Sequence, residues 1–147
     1  GFGYRSEYRE MRNFLKVELQ GQSSNVTFIP LNILSDDLMI DHRGMKPEAV
    51  TRALKEAVTQ SSTSGGVVMF DLHPIRMGQP EFVGCIRDIC IHANNLGAWC
   101  TTPSEAVTYW NKHNRWKGDS SFCVLLTGDI DNWVFSDYLR RVIWKKR

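Results

Sequence analysis

Apolar and polar positions along this chain switch repeatedly between a two-residue and a roughly four-residue period. The run Val67-Val68-Met69-Phe70 follows Gly65-Gly66 and passes through Asp71-Leu72 to His73-Pro74. Four β-favouring residues before a proline that cannot donate to a ladder predict a short buried strand with an imidazole at its C-terminal end. Upstream, Val26, Phe28 and Ile29 before Pro30 make residues 25–34 strand-like, and the turn-rich Ser35-Asp36-Asp37 follows. Met45-Lys46-Pro47 opens a helix with Val50, Ala53, Leu54, Ala57 and Val58 on one stripe, and polar residues 60–66 end it. Downstream, Gly78-Gln79-Pro80 starts a second helix, with Phe82, Val83, Ile86, Ile89, Cys90 and Ala93 at helical spacing and Asn94-Asn95 and Gly97 closing it. Ala98-Trp99-Cys100-Thr101 predicts a strand, and Thr102-Pro103-Ser104-Glu105 has the form of a capping box for a third helix carrying Ala106, Val107, Tyr109 and Trp110. A buried strand over 122–126 and a helix over 134–144 complete the pattern. Strand-helix units joined by short loops predict an α/β fold with a parallel sheet and right-handed crossovers.

Composition narrows the class. A chain of 147 residues, 42% hydrophobic and 23% charged, can bury a core, and no apolar run is long enough to cross a bilayer. The polar N-terminus with Arg5, Arg9 and Arg12 does not read as a signal peptide. A net charge of +2 is too small to argue for nucleic acid, and Lys145-Lys146-Arg147 reads as a solvated helix end. Cys85, Cys90, Cys100 and Cys123 lack C-x-x-C spacing and sit among apolar residues, so reduced, buried thiols in a cytoplasmic protein are the expectation.

The order of features from Val67 to His73-Pro74, through an amphipathic helix and Gly97-Ala98-Trp99 to Thr101-Thr102-Pro103-Ser104-Glu105-Ala106, resembles the C-terminal part of polysaccharide deacetylases, the NodB homology domain. The resemblance implies a distorted (β/α) barrel, a divalent metal, commonly zinc, and hydrolysis of N-acetyl groups on carbohydrate. Their late motif is a strand ending L-x-H, whose histidine protonates the leaving amine. His73 stands at that position, with Asp71 where the family usually keeps an apolar residue. Residues 1–117 resemble the C-terminal part, and 118–147 a first strand-helix unit, so the single domain reads as a partial or permuted barrel of the deacetylase type.

Leu125-Leu126-Thr127-Gly128-Asp129-Ile130-Asp131 is similar to the family's first motif, in which a strand ends in paired carboxylates. Carried over, Asp129 is the general base and Asp131 a metal ligand, although the motif opens the family's domain and closes this chain. A strand-to-helix turn capped by those two residues explains them equally well. Gly3-Tyr4-Arg5-Ser6 stands where the family has a groove arginine, so Arg5 could hold a catalytic carboxylate, a surface turn being the plainer explanation. Asp36, Asp37, Asp41 and His42 form an acidic group with a nearby histidine, consistent with a cation site or with turn-forming Asp residues.

His42, His73, His92 and His113 include no H-x-x-x-H pair, the spacing with which the family holds its metal. His92 falls near the apolar face of the second helix and reads as structural, and His113 ends the third. The expected function is metal-dependent deacetylation of N-acetylated carbohydrate, incomplete in this chain as it stands and completed by a second copy or a missing segment. A non-catalytic carbohydrate-binding or interaction domain on the same scaffold is the alternative. Trp99, Trp110, Trp116 and Trp133 could stack on sugar rings or pack in the core.

Overall fold

A computed structural model of the chain describes residues 13–31 and 35–128. Two sheets are present among them: an antiparallel hairpin of β1 (Leu15–Leu19) and β2 (Gln22–Phe28), and a parallel three-stranded sheet of β3 (Val67–Asp71), β5 (Cys123–Thr127) and β4 (Trp99–Thr101), in that spatial order. Between them run α1 (Pro47–Ser64), the single turn α2 (Pro74–Met77), α3 (Val83–Asn95) and α4 (Pro103–His113). The α/β class and the parallel sheet agree with the sequence reading. The insertion of β5 between β3 and β4 does not follow from it.

Alternation along the strands sorts the core into two layers. Val68, Phe70 and Val124 face α1 and α3, meeting Val50, Leu54 and Val58 from α1 and Cys85, Ile89 and Ala93 from α3. Val67, Met69, Cys123 and Leu125 face the other way, onto Ala106, Val107 and Trp110 of α4 and onto Phe14 and Trp116. A strand buried on both faces reads as a continuous apolar run, which is why β3 and β5 carry no polar alternation. Each fully buried Val or Leu of the α1 stripe contributes about 1.5–3 kcal/mol of transfer free energy.

The helices predicted within the described residues are found, with shifted ends. Lys46 is extended and Pro47 occupies the first helical turn of α1, which runs through Ser64 rather than ending near Gln60. Gly65 then closes it at φ 74°, a left-handed cap that only glycine adopts without strain. The helix expected from Gly78 instead begins at Val83, because Pro74 starts the separate turn α2 and residues 79–82 form a further turn. Thr102 accepts a hydrogen bond from the Glu105 N–H, but the Glu105 carboxylate takes Thr101 Oγ1 and Lys117 rather than returning to the cap. Only one arm of the capping box is therefore made.

The expected strand over 25–34 is corrected at its start: β2 begins at Gln22 and pairs with β1, whose short stretch of alternating residues was not recognised. Gln20 and Gly21 both have positive φ, the geometry of a two-residue hairpin turn, so the Gln-Gly dipeptide was the missed signal. The cysteines also need correction. Cys85 and Cys123 are buried, Cys90 is half-buried and Cys100, on the edge strand β4, is exposed, all as free thiols. Among the described residues no helix is long and apolar enough to cross a membrane.

Candidate functional site

The strand β3 ends where the sequence placed the imidazole. The Leu72 N–H donates to the Thr127 carbonyl at 2.8 Å, extending the β3–β5 ladder one step beyond Asp71, and Pro74 then turns the chain into α2. His73 is the extended residue at that corner, 7% exposed, at the C-terminal edge of a parallel sheet. That edge is where open α/β sheets bind ligands, since the strand-to-helix loops diverge there. Gly128 follows directly on β5, and the Leu72 carbonyl occupies the space a Cβ would need, so the two strand ends approach closely only because position 128 has no side chain.

The partner of His73 comes from 37 residues upstream. Asp36 is fully buried and holds His73 with both carboxylate oxygens: Oδ2 accepts the backbone N–H at 2.6 Å and Oδ1 lies 2.5 Å from Nδ1. A carboxylate in its ionised form only accepts, and in that form it would place the proton on Nδ1 and set the ring's tautomer. A buried charge without such partners would be strongly disfavoured, which makes the pair interdependent.

Asp36 arrives on a turn of unusual geometry. Ser35, Asp36 and Asp37 lead into a π turn, Leu38–His42, whose Arg43 N–H reaches back to the Leu38 carbonyl at 3.1 Å. Met39 is fully buried and anchors this turn in the core beside Ile40 and Met45. Asp37 is half-buried, and a hydrogen bond from Ser35 holds its carboxyl below the ordinary 3.8. Burial opposes that effect, while the Leu38 N–H and the charges of Arg76 and His73 add to it. On α2, Arg76 donates to Asp41 Oδ2 from Nε at 2.7 Å and from Nη2 at 2.6 Å.

Asp36, Asp37 and His73 each offer one ligand atom within 4.8 Å of the others and could hold a metal ion. Two carboxylate oxygens and an imidazole nitrogen are donors that zinc accepts, three being the usual protein contribution at a catalytic centre. The Ser35-Asp36-Asp37 segment, read above as a surface turn or cation site, is thus the half of the site that periodicity could not locate. Asp41 and Arg76 were not recognised as a pair, since nothing local marks a contact between segments 35 residues apart.

Other expected residues take separate places. Arg5, Asp129, Asp131, Trp133 and the helix over 134–144 lie outside the described residues. His92 is structural, its Nε2 2.8 Å from Thr59 Oγ1 across the α1–α3 contact. His113 is exposed and its ring lies 4.3 Å from that of Tyr109. Trp116 is buried and donates from Nε1 to the Gly65 carbonyl at 2.8 Å, locking the helix cap to the second core layer. Trp110 is half-buried against Trp116, and Trp99 is half-buried against Tyr109 with Lys117 Nζ 5.8 Å from its ring centre.

Comparison of the chain with protein-family models, with curated proteins and with solved structures gives no match.

Proposed function

We propose that this chain is a hydrolase of polysaccharide deacetylase type, in which His73 is the general acid for cleavage of an N-acetyl amide and Asp36 orients it. The observation that carries the reading is the buried carboxylate–imidazole pair at the C-terminal end of β3. A histidine whose Nδ1 proton is held by a carboxylate presents Nε2 for proton transfer, and the carboxylate stabilises the imidazolium that donates. In amide hydrolysis the departing nitrogen must receive a proton as the C–N bond breaks, and this dyad supplies one at the C-terminal end of a strand.

The partial or permuted barrel, Asp129 as base, Asp131 as metal ligand and Arg5 as its clamp belong to the same proposal and rest on the resemblance of their motifs. Zinc, where bound, supplies Lewis-acid polarisation of the amide carbonyl. Asp36, Asp37 and His73 are the described residues with the donors to hold it. Because Nδ1 and Asp36 Oδ1 already face each other, metal and proton compete for those atoms, and metal dependence discriminates their roles.

The test is acetate release from N-acetylglucosamine oligomers by the full chain, with and without added zinc, compared with His73→Ala and Asp36→Asn. The reading expects release that falls by about 10²–10⁴-fold in His73→Ala while the fold persists. Release that is indifferent to His73 sinks the acid assignment. Oligomer binding with no hydrolysis in any assembled state favours the carbohydrate-binding alternative.

A further inference from the structure

The π turn and α2 meet at two points rather than one. Asp36 lies just before the π turn and Asp41 within it, and both reach the β3–α2 corner, Asp36 at His73 and Asp41 at Arg76. Opposite them stand His73 and Arg76, three apart on the β3–α2 corner, so that neighbouring carboxylates meet neighbouring cationic or protonatable groups. Arg76 forks onto one oxygen of Asp41 with Nε and Nη2, while Asp36 grips His73 with both of its oxygens.

We propose that Asp41 and Arg76 are a positioning pair that keeps the Asp36 carboxylate seated on His73. The inference rests on the dyad reading above and adds the device that maintains it. Met39 fixes the middle of the π turn in the core, which leaves rotation about that anchor as the motion that would lift Asp36 away. The Asp41–Arg76 fork opposes this motion from the far end of the turn. Charge works in the same direction. The segment from Asp36 through the π turn carries Asp36, Asp37 and Asp41, and the Arg76 guanidinium sits against its far end at Asp41. Without the guanidinium, Asp41 would lose its cation, and repulsion among the three carboxylates of the segment would be relieved by opening the turn. With Arg76 and Asp41 side chains 20% and 50% exposed, the pair contributes little to global stability. Its effect is local.

The decisive measurement is the NMR signal of the His73 Nδ1 proton in the full 147-residue chain at one pH, assigned by its disappearance in His73→Gln. In the unaltered protein this proton should be observed as a protected donor. Arg76→Ala and Asp41→Asn should each speed its exchange by about fivefold or more, or abolish the signal, while the Trp116 indole proton in the other core layer is unmoved. The exchanged pair Asp41→Arg with Arg76→Asp should restore it, and Arg76→Lys, which keeps the charge but loses the fork, should restore it in part. Wild-type protection in both single variants overturns the proposal. Equal loss at Trp116 also counts against it, because that is general loosening of the fold. An unprotected Nδ1 proton in the unaltered protein would instead remove the dyad reading itself, and the positioning role with it.

Discussion

Replacing Asp36 by Ala deletes both acceptors of His73 in one step. The backbone N–H and the Nδ1 of His73 lose contacts of 2.6 and 2.5 Å at a position where the residue is 7% exposed, so water has little access to replace them. Hydrogen bonds to a charged group are worth about 1.5–3 kcal/mol each, but the fully buried carboxylate also costs several kcal/mol to desolvate, so the pair's net worth is smaller than its gross strength. Truncation is different, because it leaves the donors buried and unpaired. Breaking one side of a buried pair costs about 3–5 kcal/mol, a large share of the roughly 5–15 kcal/mol that holds a domain folded. Asp36→Asn keeps the shape and one acceptor oxygen while reversing the hydrogen-bond sense at the other, and a loss of about 1–3 kcal/mol is expected. Equilibrium urea unfolding at neutral pH followed by circular dichroism measures both, and the double variant Asp36→Ala with His73→Ala should lose clearly less than the sum of the singles. A cost below about 1 kcal/mol for Asp36→Ala, or simple additivity with His73→Ala, would refute a coupled buried pair.

Burial, aided by nearby Cys100 and Glu105, pushes the Cys123 thiol from 9.0 up to about 12. The folded state thus holds a proton that the unfolded chain releases first, so this stabilisation is complete below pH 9, shrinks as pH rises toward about 12, and amounts to at most about 4 kcal/mol; unfolding titrations in Cys123→Ala should lose that alkaline slope. In native protein a thiol reagent should modify the exposed Cys100 first and Cys85 and Cys123 only on adding denaturant, and an equally fast reaction at Cys123 would contradict its packing. Gly128→Ala puts a methyl group where the Leu72 carbonyl lies and should cost about 1–3 kcal/mol, whereas a Cβ on Gly84 of α3 meets nothing and Gly84→Ala should stabilise by about 0.5–1 kcal/mol, both read from thermal unfolding.

Local periodicity was sufficient to predict α1, α3, α4 and the buried strands β3 and β5. The α1 stripe of Val50, Leu54 and Val58, the Pro47 and Pro103 starts, the Thr102 cap and the apolar runs of β3 and β5 all depend on interactions within a few residues, which the order of side chains specifies directly. The placement of His73 at a strand end was legible for the same reason: Pro74 ends the ladder wherever the strand is packed. The pairing order β3-β5-β4 was not legible, since β3 and β5 are both almost wholly apolar and β4 is only three residues long, so none carries a pattern naming its neighbour. Nor was the identity of Asp36 as the buried partner of His73. An Asp-Asp step after Ser35 fits a surface turn by its backbone preferences, and only the docking of Met39 into the core turns that segment inward. The order of side chains thus made α1, α3, α4, β3, β5 and the histidine at the end of β3 legible, because these follow from short-range physics. Tertiary structure alone decided which ends meet, because burying two distant segments against the same layer is what brings Asp36 to His73 and Asp41 to Arg76.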